Sequence, residues 1–195
     1  MARPIEYNEA EVLSRALEQF WREGYEASSV NKLLAVCNIN RGTLYNSFTD
    51  KNTFFKIVFS YYNEMLNGQI AATLKNPELG PWESIAAFFD VAAVNAPAAQ
   101  RNLGCLIVNS LCSNINYDSE IRRVLRASLN RMRKALVERL REAGAKGRLK
   151  KGVNEYLAAE VLMNTLHGIR VNSRNGKSAR QLKSLVNHAI GSLKK

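Results

Sequence analysis

From Asn8 onward, apolar side chains recur at three- and four-residue intervals almost without a break, and no stretch alternates between turn residues with the two-residue period of a strand. A chain patterned this way can bury its stripes only by packing helix on helix, so the expected fold is all-α. Val12, Leu13, Ala16, Leu17 and Phe20 form the first stripe, over about Asn8 to Glu23, and Gly24 ends it. Ser28 and Ser29 are candidate caps for a short second helix carrying Val30, Leu33 and Leu34. Asn40 caps a third over Arg41 to Ser47, and Asp50 opens a fourth with Phe54, Phe55, Val58, Phe59 and Tyr62 on its apolar side. Longer helices follow: from Pro81 to about Asn95, broken by "APAAQRN"; from Leu103 to Ser113; from Asp118 or Ser119 to Ala143, closed by Gly144 and Gly147; from Asn154 to Asn172; and from Ser178 to Leu193.

The stretch "VCNINRGTLYNSFTDK" is the part that a core helix does not explain. Two short helices joined by about four residues have the dimensions of a helix-turn-helix. Asn38 falls in the turn, where backbone with positive φ accepts asparagine next best after glycine. Ile39 and Leu44 can bury against the second helix, which turns Arg41, Gly42, Thr43 and Asn46 outward at the front of the third. Such a polar helix end suits readout of a groove: glycine permits close approach, and Tyr45 and Lys51 are placed to reach phosphates.

The wider string "GYEASSVNKLLAVCNINRGTLYNSFTDKNTFF" resembles the N-terminal signature of the tetracycline-repressor (TetR) family of bacterial regulators. Gly24, Tyr25, Ser29, Val30, Ile39, Gly42, Thr43, Leu44, Tyr45, Phe48 and Lys51 all fall in register. Leu34 stands where that family usually has alanine, and Asn38 where it has a turn glycine. Beyond this head, "NLGCLIVNSL", an Arg-rich helix ending "REAGAKGRL", and "LMNTLHGIRVNSRNG" resemble a subgroup with a Gly-Cys-Leu element in its effector domain.

The resemblance implies a helix-turn-helix head at 1–56 and an effector-binding and dimerising body at 57–195. It implies a homodimer that grips a near-palindromic double-stranded DNA operator and is released by a small-molecule or electrophile effector of unknown identity. By the same resemblance Tyr45 and Lys51 match phosphate contacts, Ser28 and Ser29 match backbone contacts, and Asn40, Arg41, Thr43 and Asn46 match base-reading positions. The final two helices pair across the dimer in this family, which points to Leu162, Leu166, Leu182, Leu185 and Ala189 as interface; their spacing alone fits an intramolecular core equally well.

Charge complicates this. The chain carries a formal net charge of +11 and a pI near 9.8, which points to an anionic partner, yet basic and acidic residues cancel over residues 1–56, where Arg3 and Glu6 are among those counted. The excess lies in the body, where residues 122–151 hold twelve basic residues against Glu138 and Glu142. That stretch reads either as a solvated helix face or as a surface attracting DNA or an anionic effector. A basic architectural DNA-binding protein without an effector is the rival reading, and the polar reading helix argues against it.

In the body, Trp82, Phe88, Phe89, Leu103, Cys105, Leu106 and Met132 are candidates to line an effector cavity, or are plain core. Cys37 reads as core; Cys105, after Gly104 and near Arg101, is either a reactive thiol or a buried inert one, with Cys112 seven residues on along the same face. Three cysteines make no disulfide framework. His167 and His188 sit in separate helices without metal-spaced partners, and no nucleophile arrangement or phosphate-binding glycine loop is present, so neither metal, cofactor nor enzymatic activity is expected. The N-terminus has no apolar signal segment, and the richest apolar stretch is interrupted by Asp90, Asn95 and Pro97. A cytoplasmic protein without membrane association is therefore expected.

Overall fold

The computed structural model describes residues 7–96, 98–113, 117 and 119–195; Arg3, Glu6, Pro97 and Asp118 of the sequence reading lie outside them. The chain is all-helical, with α1 (Glu9–Ala27), α2 (Val30–Cys37), α3 (Arg41–Phe48), α4 (Lys51–Ala72) and α5 (Pro81–Phe89) followed by a π-helical turn (Asp90–Val94). Then come α6 (Ala98–Arg101), α7 (Leu106–Cys112), α8 (Ser119–Ala145), α9 (Glu155–Arg174) and α10 (Ala179–Gly191). Between Leu149 and Lys194 there is an isolated antiparallel bridge.

Local chemistry fixes the helix starts. The side-chain oxygens of Ser29, Asn40, Asp50 and Asn154 each accept a hydrogen bond from the backbone N–H three residues on, at 3.3, 2.8, 2.7 and 2.9 Å. Ser178 does the same for Gln181, whose side chain returns the bond to close a capping box. Gly24 takes φ +82°, which stops the regular helix of α1 at Glu23 although one more turn follows.

Three boundaries differ from expectation. The helix opened by Pro81 remains α only to Phe89 and then widens into the π-helical turn, where the buried Arg170 side chain donates its Nε–H to the Ala92 carbonyl at 3.1 Å. A helix from Leu103 is delayed to Leu106, because Gly104 takes φ +77°. Gly144 lies inside α8, and the chain turns at Gly147 with φ +65°.

In the N-terminal part α2 and α4 pack against α1, and α3 packs on α4. Phe20 of α1 meets Phe55 of α4 edge-on at 5.0 Å between ring centroids and Phe54 at 6.3 Å, while Phe48 of α3 packs on Phe54 at 4.3 Å. Helix α4 continues unbroken into the second half, where Asn63 accepts from Ser128 of α8 at 2.5 Å and Lys56 pairs with Glu120 at 2.6 Å. Helices α5, α9 and α10 and the π-helical turn then close on one another, with α8 packed against α5 and α9.

Candidate nucleic-acid interface

The turn between α2 and α3 begins at Asn38, in the left-handed region at φ 53°, ψ 45°, and the N–H of Ile39 reaches back to the Leu34 carbonyl at 3.2 Å. A Cβ-bearing residue other than asparagine or aspartate is costly there. Asn38→Ala should therefore lose about 1 kcal/mol of stability and Asn38→Gly should lose nothing, as read from urea denaturation midpoints.

Leu44 and Phe48 face inward and are buried, so α3 is pinned from below and Arg41, Gly42, Tyr45 and Asn46 form its exposed face. Tyr45 is 44% exposed. The Asn40 side chain accepts from both the N–H and the hydroxyl of Thr43, at 2.8 and 3.1 Å, so these two residues build the front end of the helix together. Thr43 is buried, which places it beneath the exposed face rather than on it. Gly42 has an internal reason besides groove approach: a Cβ there would lie 3.2 Å from the Asn40 side-chain oxygen that caps the helix.

Arg41 donates to the Asn31 side chain on α2 at 2.8 Å, so α2 aims the guanidinium. Sequence reasoning missed Asn31, because ten residues and a turn separate it from Arg41. Lys51 lies 4.2 Å above the Tyr25 ring and donates to the Glu26 carbonyl at 3.5 Å. Partial burial holds its ammonium pKa below the ordinary lysine value.

Ser28 requires a correction. It is fully buried, and its hydroxyl donates to the Gly24 carbonyl at 2.6 Å, so it stabilises the α1–α2 corner and offers nothing outward. Ser29 is the exposed member of the pair.

The α9 and α10 residues separate in the same manner. Leu162, Leu166 and Leu182 are buried within the single chain, which corrects their assignment to a subunit interface. A helix held against neighbours on one side and offered to a partner on the other has two apolar faces, and periodicity does not tell them apart. The outward apolar residues are Leu157 and Val171, each nearly two-thirds exposed, with Val161 and Leu185; Ala189 is half-buried beside them.

Of the effector candidates, Trp82, Phe88, Phe89, Leu106 and Met132 are closed into the core. Leu103 borders a shallow cleft with Trp21 and Met65. Cys105 is buried as the N-cap residue of α7, 4.0 Å from the Tyr62 hydroxyl, whereas Cys112 is exposed, so the two cysteines do not share a face. Cys37 donates to the Val12 carbonyl at 3.6 Å, and burial pushes its thiol up to about 11. The basic stretch is not one solvated face either: Arg139 is largely buried and donates to the carbonyls of Leu74 and Asn76 at 2.5 and 2.7 Å, closing the end of the segment after α4. Arg122, Arg123 and Arg126 gather near the start of α8.

Residues 12–58 match the family described as bacterial regulatory proteins, tetR family. Over 149 residues, 76% of each chain, the protein is 30% identical to an uncharacterized HTH-type transcriptional regulator of Bacillus subtilis, YezE. The chain belongs to the TetR family. It is also 26% identical over 185 residues to the HTH-type transcriptional repressor ComR of Escherichia coli, covering 94% of this chain and 88% of ComR. Its fold superposes with a TM-score of 0.83 on a cysteine-substituted form of the TetR family regulator CifR in complex with 26-bp double-strand operator DNA, at 22% identity and over 98% of this chain and all of that one. As a TetR family member the protein is a DNA-binding transcriptional regulator, and its family and fold are those of regulators rather than enzymes. No described helix is long and apolar enough to cross a membrane.

Proposed function

We propose that the protein is a repressor that binds a near-palindromic operator as a homodimer and is released by a small molecule. In this reading it acts in the cytoplasm and works by binding, without catalysis. Residues 1–56 form the DNA-binding unit; residues 57–195 bind the effector and pair the subunits. The observation that carries the reading is the α3 face of Arg41, Gly42, Tyr45 and Asn46, held outward by the Asn40 cap and the left-handed turn at Asn38. Such a face at a helix N-terminal end is what a major groove admits, and two of them must lie about one helical turn of DNA apart to read a palindrome. The name of ComR as a repressor and the operator complex of CifR support the assignment.

In this scheme Arg41 and Asn46 read base edges, Tyr45, Ser29 and Lys51 hold phosphates, and Asn40 and Thr43 set the position of the helix. Lys51 must leave the Tyr25 ring to do so. Arg41→Ala should weaken the cognate site by about 1–3 kcal/mol and relax preference at one base position. Lys51→Ala should weaken cognate and random DNA alike and reduce the salt slope by about one. Selection of bound genomic fragments followed by footprinting measures both. A protected palindrome is expected, whereas uniform coating, or equal losses on cognate and random DNA for Arg41→Ala, would overturn the reading.

A further inference from the structure

Where α1 meets the second half of the chain there is a cleft whose lining includes Trp21, Tyr62, Leu66, Ala92, Arg101 and Arg170 and, among the described residues, no aspartate or glutamate. Arg170 is buried and takes part in no ion pair among the described residues. Its Nε donates to the Ala92 carbonyl, and the rest of the guanidinium on the cleft lining hydrogen-bonds the Tyr62 hydroxyl and the Cys105 thiol, two neutral neighbours that supply no counter-charge. Burial opposes the charge, but those two neighbours hold the guanidinium pKa above even its ordinary value, so the group stays cationic. A buried, uncompensated cation is costly, and chains that keep one put a counter-charge against it.

A second donor points the same way. The indole N–H of Trp21 is buried with no acceptor, and its ring meets that of Tyr62 edge-on at 5.2 Å between centroids. The cleft therefore offers indole and guanidinium N–H groups and, among its described lining residues, no carboxylate to receive them. The rest of its lining combines apolar Met65, Leu66, Val91 and Ala93 with the uncharged polar Gln69, Gln100 and Ser173.

We infer that this cleft is the effector site and that the effector is a monocarboxylate with an apolar body, its carboxylate forked onto Arg170 and bonded by the Trp21 indole, its body against the α4 and π-turn side chains. The inference rests on the proposed reading of the protein as an effector-released regulator. The buried Arg170 guanidinium balances one negative charge at the floor of the cleft, whereas Arg101, the other cation on the lining, is only half-buried, so solvent screens it and a phosphate dianion would keep most of its second charge uncompensated. The cleft has about 480 Å³ of empty volume counted out to its open mouth. An occupant seated against both Trp21 and Arg170 bridges α1 and α9. Binding is thereby coupled to the position of the helix on which α2 is packed.

The test uses the full-length protein without DNA. Butyrate, octanoate and benzoate are titrated beside their primary amides, and binding is followed by melting temperature and tryptophan fluorescence. At least one carboxylate should bind about tenfold or more tightly than its amide, the difference expected of a charge-assisted over a neutral hydrogen bond. Its fluorescence response should vanish in Trp21→Phe and survive in Trp82→Phe. Arg170→Met should melt no lower than wild type without ligand and should lose the carboxylate preference. If that variant fails to fold, Arg170→Lys decides, since it should retain the preference with weakened affinity. Binding by none of the three carboxylates, equal binding of acid and amide, preference for phenyl phosphate, or an undiminished preference in Arg170→Met would overturn the inference. Because no DNA is present, its failure is separate from that of the repressor reading, which would instead show as carboxylate binding without operator release.

Discussion

A Val171→Glu/Leu185→Glu variant should be a folded monomer that has lost operator binding. Both side chains are exposed on the isolated subunit, Val171 on α9 and Leu185 on α10, so the charges cost the single chain little. In a dimer paired through these helices they would be buried without partners, which is expensive. One subunit holds half a palindrome, and losing the tether to the second half should reduce operator affinity by about 10²–10⁴-fold. Sedimentation analysis and a band-shift titration, run with a far-ultraviolet dichroism control, measure this. A variant that stays dimeric and binds the full operator with native affinity would remove α9 and α10 from the interface. The control is Leu162→Glu, one helical residue away from Val161 and fully buried within the subunit: it should fail to fold at all.

The second large effect is expected at Phe20. Its ring is buried where α1 crosses α4, edge-on to Phe55 and Phe54 and stacked on Tyr25 at 6.2 Å. Phe20→Ala removes the centre of that cluster and leaves a hole walled by aromatic rings that cannot collapse without moving α1. The expected loss is about 3–5 kcal/mol of unfolding free energy. Phe20→Leu, which refills most of the volume, should cost much less. Chemical denaturation compares the two, and a loss below about 1 kcal/mol for the alanine variant would mean the helices repack freely. The operator affinity of Phe20→Ala should fall too, because the α2–α3 pair is positioned by α1 and α4.

The parts of this structure that sequence foretold are those decided within four residues. Ser29 and Asn40, read as caps, and Asp50, Asn154 and Ser178, read as helix starts, all cap helices because a side-chain oxygen finds an N–H three residues ahead, and Asn38 marks its turn by tolerating positive φ. Both signals are spelled out locally. The outward placing of Arg41, Gly42 and Asn46 on α3 was legible for the same reason, since Leu44 marks which side is down, whereas Thr43, read as outward, is buried.

What escaped depends on residues distant in the chain. Nothing near Ser28 announces that its hydroxyl turns back to Gly24, nothing near Arg41 names Asn31, and the distinction between Leu162 and Val161 rests on which neighbours α9 has. The cleft is the extreme case. Its residues come from α1, α4, the π-helical turn, the stretch around α6 and α9, and its defining property is the absence of acids among the described residues lining it, which appears only when these separated segments are brought together.

The unbroken course of α4 has a mechanical consequence. At 1.5 Å per residue its 22 residues make a rod about 33 Å long, with Phe54 and Phe55 in the N-terminal aromatic cluster and Leu66 on the cleft wall. A tilt of about 5° about one end swings the other by about 3 Å, close to the rise of one base pair. In a paired molecule two such rods move in opposite senses, so the gap between reading helices changes by nearly twice that amount. The lever arm would supply the amplification, and an occupant of the cleft would have to shift its wall by only a fraction of an ångström to take both reading helices out of register with their half-sites.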